Sequence, residues 1–162
     1  YGWMFEFIDY VAGRDLPPSL WSRPDIRRLE YLSSLLPGIF NDVTGLVSDP
    51  YPEKAFCLPV AIAREQGIPL QEGVEAASAL FERYAVELQG LAQHLIDTGD
   101  DDASLLARGA LAIPAGHLHW HMQVSHRYRD YQRYANPKYD AFAGALALPD
   151  AAAGRACLGP DP

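Results

Sequence analysis

Apolar residues recur at three- and four-residue intervals along most of the chain, the spacing that places them on one face of an α-helix. The first such stretch covers residues 3–11 and is expected to end at Gly13, because glycine favours helix C-termini. Pro17-Pro18 then marks a break. The second stretch follows an N-cap segment at residues 22–25, and its apolar positions are Ile26, Leu29, Leu32, Leu35 and Leu36.

Pro37-Gly38 interrupts this second helical stretch, which closes at Asp49-Pro50-Tyr51-Pro52. Proline lacks the backbone N–H that the helix uses, so we expect Pro37 to kink the helix or to stop it. Whether residues 41–49 continue the helix therefore depends on this position.

The same spacing predicts helices over residues 53–66 and 70–96 and a last long helix over residues 103–134, bent at Pro114 and ended by Pro137. The acidic stretch 97–102 separates the last two. After Thr-Gly, a run of aspartates is more typical of a solvated loop and a helix N-terminus than of a metal motif.

No strand alternation of useful length is present, so the predicted fold class is all-α, an antiparallel helical bundle with short loops. Residues 1–146 are assigned to one domain. Residues 147–162 are rich in Ala, Gly and Pro and are expected to form a disordered tail.

The 162-residue chain is 49% hydrophobic and carries a net charge of -8. The acidic balance argues against a nucleic-acid surface, although local cations can still bind an anionic substrate. Cys57 and Cys157 form no CxxC unit and imply neither a disulfide scaffold nor a zinc site. There is no signal peptide and no apolar run of transmembrane length, so we predict a cytoplasmic protein without membrane contact.

The stretch Asn41 to Asp49 is the first candidate for chemistry. On a helix, Asn41, Gly45 and Asp49 share one face. An amide oxygen and a carboxylate are ligands that Mg²⁺ accepts, with water and substrate phosphates completing the site. The alternative is that Asn-Asp before Gly and Ser only ends a helix and begins a turn.

His117, His119 and His121 alternate and would suggest zinc in a strand, where alternate residues share a face. On a helix, residues two apart point about 200° from one another, so the three cannot meet one ion. We therefore do not predict a zinc site.

The order of motifs resembles the C-terminal half of a class I terpene synthase of microbial type. Asn-Asp-x-x-Gly-x-x-x-Asp at residues 41–49 is followed by Ala-Arg-Glu-Gln-Gly-Ile-Pro-Leu at residues 63–70, and then by Trp120 and Arg127-Tyr128. The resemblance also includes Leu-Pro-Pro at residues 16–18 and Arg-Pro at residues 23–24. It implies part of the isoprenoid synthase fold, so we expect this sequence to be a fragment.

The resemblance implies a carbon-oxygen lyase of bacterial isoprenoid metabolism. In it, Asn41 and Asp49 would bind one Mg²⁺ that, with others, holds the diphosphate of a prenyl substrate, which we expect to be farnesyl diphosphate of sesquiterpene synthesis. Arg127 and Tyr128 would donate hydrogen bonds to that diphosphate. Phe40 and Trp120 would hold the carbocation by their ring faces while it cyclises, although plain core packing is an equal alternative for Trp120.

Four departures from the family pattern leave two alternatives open. Gly45 replaces a Ser or Thr, Asp49 replaces Glu, Trp120 and Arg127 lie one residue further apart than usual, and no Asp-Asp-x-x-Asp motif occurs. The chain is then either a non-catalytic member that binds a prenyl compound or a partner subunit, or an unrelated helical interaction domain if Pro37 breaks the helix. As part of a bundle it should expose a large apolar patch, or self-associate, or bind its ligand poorly, and it should be inactive alone.

Overall fold

The computed structural model of the chain describes residues 2–48 and 56–125, and within these residues it contains helices and no strand. The predicted all-α class is confirmed. The helices are α1 (Gly2–Ala12), α2 (Pro18–Trp21), α3 (Pro24–Ser48), α4 (Leu58–Gln66), α5 (Leu70–Asp97) and α6 (Asp101–His119), and a π-helical turn follows at Trp120–Val124.

The core lies where α3, α5 and α6 pack against one another, with α1 and α4 on its outside. In α5 the buried positions recur every three or four residues, as the apolar spacing predicts. Alanines alternate with large side chains along this stripe, so the neighbouring helix backbones approach closely. The fully buried residues of the stripe are Ala77, Phe81, Ala85, Leu88, Ala92 and Leu95.

Glycines end α1 and α4 where the sequence predicts helix ends. Gly13 and Gly67 have φ of 63° and 65°, a left-handed conformation that other residues rarely adopt. The N–H of Gly13 donates to the carbonyl of Tyr10 at 3.1 Å, and the N–H of Ile68 donates to that of Ala63 at 3.0 Å. Both bonds satisfy carbonyls that the helix end leaves open.

The fourth helix begins later than predicted. The pattern suggested a start at Glu53, whereas Phe56 and Cys57 are not α-helical and α4 begins at Leu58. Pro59 lies in the first turn, where a missing N–H costs nothing because that N–H would have no partner within the helix. Residues 53–55 lie outside the described residues.

The acidic stretch before α6 is a loop and helix N-terminus, as predicted. Asp100 is the N-cap, and its carboxylate accepts the backbone N–H of Ala103 at 3.1 Å. Arg23 donates to the same carboxylate at 2.8 Å and also pairs with Asp25. The backbone bond from Ala103, with Arg23 adding to it, holds the pKa of Asp100 below its usual value. Asp100 therefore has a structural role.

An aromatic face of α1 is exposed, as expected for a bundle with uncovered helices. Trp3 and Tyr10 are 63% and 78% exposed, and Phe7 lies between them with its ring 5.8 Å from each. Self-association through such faces stays a prediction.

No helix in residues 2–48 and 56–125 has the length and apolar character needed to cross a membrane. The tail predicted at residues 147–162 lies outside the described residues, so its disorder stays a prediction.

Candidate functional site

Helix α3 carries residues 41–48 without interruption. The stop considered at Pro37 is wrong, because the helix continues from Pro24 to Ser48 with Pro37 inside it. Leu36 and Phe40 on either side are fully buried, and their packing offsets the roughly 3 kcal/mol that an internal proline costs a helix. Asn41 and Gly45 therefore lie one turn apart on the same face, as predicted.

Asp42 has a structural partner that the sequence did not reveal. Its Oδ2 atom accepts the backbone N–H of Leu58 at 2.8 Å. That N–H belongs to the first residue of α4, so the Asp42 carboxylate caps this helix. Its negative charge also interacts favourably with the partial positive charge at the helix N-terminus. The bond fixes the end of α3 beside the start of α4.

Thr44 and Gly45 supply little to a cation. Gly45 is buried and has no side chain. The hydroxyl of the adjacent Thr44, which could replace the side-chain ligand missing at Gly45, donates to the carbonyl of Phe40 at 2.9 Å within its own helix. Among these residues of α3, the Asn41 amide is the best-placed oxygen donor.

Asn41 faces His121, which lies 80 positions further along the chain. The Asn41 Nδ2 atom is 3.5 Å from the His121 Nε2 atom. An amide nitrogen only donates, so this contact is a hydrogen bond in the tautomer that carries its proton on Nδ1 and accepts at Nε2. His121 is 1% exposed, so the contact lies inside the protein.

Three other rings pack against the His121 ring. Phe40 lies edge-on to His121 at 5.2 Å and to His117 at 6.2 Å, measured between ring centroids. Trp120 lies edge-on to His121 at 5.2 Å. The rings of His117 and His121 are 4.4 Å apart. We call Phe40, His117, Trp120 and His121 the ring cluster.

The ring cluster lies at one end of an apolar groove of about 570 Å³ between α1 and α6. His117 and Trp120 line the groove, with Trp120 47% exposed. Phe40 is fully buried and supports the two histidines from behind instead of lining the groove. The other lining residues are small or apolar, and they include Met4, Ile8, Gly109, Ile113 and Gly116.

The three alternating histidines do not all lie on one face of the helix, as helical geometry requires. His117 and His121, four residues apart, are in ring contact, whereas His119 is exposed. The four-residue spacing was a usable sign that His117 and His121 share a face. It did not show which residue of another helix they contact.

The last helix leaves α-geometry earlier than predicted. After His119 the chain forms a π-helical turn, in which the N–H of Ser125 donates to the carbonyl of Trp120 at 2.8 Å. Such a turn spans five residues where an α-turn spans four, and it accommodates one additional residue. Ser125 is extended, so the predicted α-helix over residues 103–134 is wrong at residues 120–125, and its part from residue 126 onward lies outside the described residues.

Burial lowers the pKa of the His117 imidazole to about 4, from its ordinary 6.5. Unfolded His117 takes up a proton near pH 6.5 and folded His117 only near pH 4, so acid favours the unfolded chain between these values. We expect this residue alone to lower the free energy of unfolding by about 2 kcal/mol from about pH 7 to pH 5. Urea denaturation at pH 7 and pH 5, followed by circular dichroism, measures this change in the free energy of unfolding. An unchanged pH slope in His117→Gln would contradict the prediction.

Three of the predicted site residues, Asp49, Arg127 and Tyr128, lie outside the described residues, so their roles stay predictions. In residues 2–48 and 56–125 no three His, Cys, Asp or Glu side chains are grouped to hold a metal ion. Of the predicted metal ligands, Asn41 lies within the described residues, and its amide oxygen is of the donor type that Mg²⁺ accepts.

Comparison with known proteins gives one family. The sequence model described as "Terpene synthase family 2, C-terminal metal binding" matches residues 1–85, which span α1 to the middle of α5 and include Asn41. Neither curated proteins nor solved structures give a match. The matched segment ends before the ring cluster's residues on α6 and the π-helical turn.

Proposed function

The chain belongs to terpene synthase family 2, C-terminal metal binding, and from this membership we propose that it supplies the metal- and diphosphate-binding part of a Mg²⁺-dependent terpene cyclase. The observation that carries the proposal is the placement of Asn41. It lies inside the matched metal-binding segment and contacts His121 of the ring cluster, and two other members of that cluster, His117 and Trp120, line the apolar groove. An oxygen donor linked in this way to an apolar groove suits a ligand with an anionic head and a hydrocarbon chain.

In the proposed site, the Asn41 amide oxygen and the Asp49 carboxylate hold the cation. Mg²⁺, when bound, neutralises negative charge on the departing diphosphate. Gly45 offers no ligand, so water and phosphate oxygens fill the remaining positions, as is usual for Mg²⁺. Asp42 does not take part, because its carboxylate caps α4.

Arg127 and Tyr128 are proposed to donate hydrogen bonds to the same diphosphate, Arg127 through its planar fork. This assignment rests on the resemblance of Trp120 and Arg127-Tyr128 to the family's last motif, because residues 126–128 lie outside the described residues.

The apolar groove is proposed to hold the prenyl chain, with Trp120 presenting its ring face to a carbocation. Phe40 contributes to the same site by fixing the rings of His117 and His121. The described residues that line the groove include no Asp, Glu, Lys or Arg, and such an apolar lining disfavours side reactions with water at the cation. We propose farnesyl diphosphate as the substrate and a sesquiterpene as the product, from the resemblance and not from any residue.

A second candidate function is diphosphate or prenyl binding without turnover. The observation that favours it is the loss of one ligand at Gly45, combined with the engagement of the Thr44 hydroxyl within α3. The third hypothesis, an unrelated interaction domain, required a broken α3 and is contradicted by the intact helix and the family match.

The proposal is tested by titrating inorganic diphosphate and farnesyl diphosphate into the chain with and without Mg²⁺, followed by calorimetry. We expect Mg²⁺-dependent binding that Asn41→Ala and Arg127→Ala each weaken at least about tenfold, since each removes a charged or metal contact. Arg108→Ala, at an exposed position of α6, is the matched control and should bind as the wild type does.

Binding without a Mg²⁺ requirement, or binding that survives Asn41→Ala, would overturn the assignment of Asn41. A folded chain that binds neither ligand would overturn the diphosphate site in this chain. Binding that follows the expected pattern supports the diphosphate site in both candidates, and product formation would overturn the second candidate.

A further inference from the structure

The contact between Asn41 and His121 determines which atom of the amide is presented to a cation. An asparagine side chain rotated by about 180° exchanges its oxygen and its nitrogen, and only the oxygen binds a metal ion. In the structure the Asn41 nitrogen is directed to His121 Nε2 at 3.5 Å, so the oxygen is directed elsewhere. Without this acceptor the amide would have no such preference.

His121 is itself held in place. It is 1% exposed, and its ring lies edge-on between Phe40 and Trp120, each 5.2 Å away between centroids. It belongs to the π-helical turn, whose wider spacing sets the direction in which its ring leaves the helix. A ring fixed on several sides provides an acceptor that does not move.

We infer that His121 is a positioning residue for Asn41, orienting the amide so that its oxygen faces the metal ion. This inference rests on the metal site proposed above. His121 does not bind the metal or the substrate. Residues that orient a metal ligand in this way typically contribute about tenfold to hundredfold in metal affinity.

The probe is Mn²⁺, which replaces Mg²⁺ at oxygen sites and broadens nearby nuclear magnetic resonance signals. The ¹⁵N-labelled 162-residue chain is titrated with Mn²⁺ in the presence of inorganic diphosphate. The measured signal is the Asn41 side-chain amide, identified by its absence in Asn41→Ser. The readout is metal affinity at Asn41, so it does not depend on turnover.

His121→Phe keeps a buried flat ring and removes the acceptor. We expect it to raise the Mn²⁺ concentration needed to broaden Asn41 by at least about tenfold, and to shift this amide signal before any metal is added. His121→Gln restores an acceptor and should recover most of the affinity. His119→Phe makes the same change at an exposed neighbour and should behave as the wild type does.

The outcomes separate this inference from the proposed function. Broadening of Asn41 in His121→Phe at the wild-type Mn²⁺ concentration overturns the inference and leaves the metal site intact. An equal loss in His119→Phe also overturns it, because the effect would not depend on the acceptor. Absence of broadening at Asn41 in the folded wild-type chain overturns the metal site. If His121→Phe does not fold, a folded His121→Gln variant that needs at least about tenfold more Mn²⁺ than the wild type to broaden the Asn41 signal overturns the inference.

Discussion

Replacing Phe40 by Ala is expected to lower the free energy of unfolding by about 3–5 kcal/mol, the usual range for a buried aromatic residue. Phe40 is fully buried on α3, and its ring contacts the rings of His117 and His121 on the other side of the core. Removing the Phe40 ring leaves a void lined by the rings of His117 and His121. The two histidines would then lose the surface that fixes their orientation.

Urea denaturation followed by circular dichroism measures the effect of Phe40→Ala. Phe56→Ala is the matched control, since the same substitution at a residue 87% exposed should change stability by less than about 0.5 kcal/mol. Phe40→Leu should fall between the two, because most of the void is filled. Equal stabilities for Phe40→Ala and Phe56→Ala would show that Phe40 is not part of the core.

Replacing Gly73 by Ala is expected to destabilise the protein by about 3 kcal/mol, at the upper end of the range for overpacking. A Cβ atom at Gly73 would lie 2.3 Å from the carbonyl oxygen of Pro59 and 3.0 Å from Cβ of Ala63. The first contact is with backbone, so α4 and α5 must separate. A flexible side chain could rotate away, but a helix backbone cannot.

Gly90→Ala is the matched control in the same helix. Nothing lies within 4 Å of a Cβ atom at Gly90, so the substitution should stabilise the protein by about 0.5–1 kcal/mol through the higher helix propensity of alanine. Thermal unfolding of the two variants should shift in opposite directions. A Gly73→Ala variant as stable as the wild type would show that α4 does not pack against α5 at this distance.

The spacing of apolar residues and the helix-ending glycines predicted the helices well where these sequence signals and the tertiary packing agree. The predicted helix over residues 70–96 corresponds to α5, and the glycine helix ends at Gly13 and Gly67 are confirmed. Where the two disagree, packing decides. Pro37 opposes the helix locally, but the buried faces of Leu36 and Phe40 keep α3 intact.

The candidate site was only partly predictable. The sequence indicated Asn41 as a metal ligand, and the spacing of the histidines excluded three of them on one helical face. It did not identify the capping role of Asp42 or the contact of His121. Both depend on which helices are neighbours, and the partner of Asp42 is the first residue of α4, 16 positions away.

The sequence by itself determined the all-α class, most helix boundaries and the acidic stretch as a helix N-terminus, because spacing, caps and turn residues act within a few residues of the chain. The tertiary structure alone decided that Asn41 meets His121 across 80 positions, that the ring cluster ends an apolar groove, and that Gly73 admits no side chain. These features follow from the packing of one helix face against another, and no periodicity along a single helix encodes its partner.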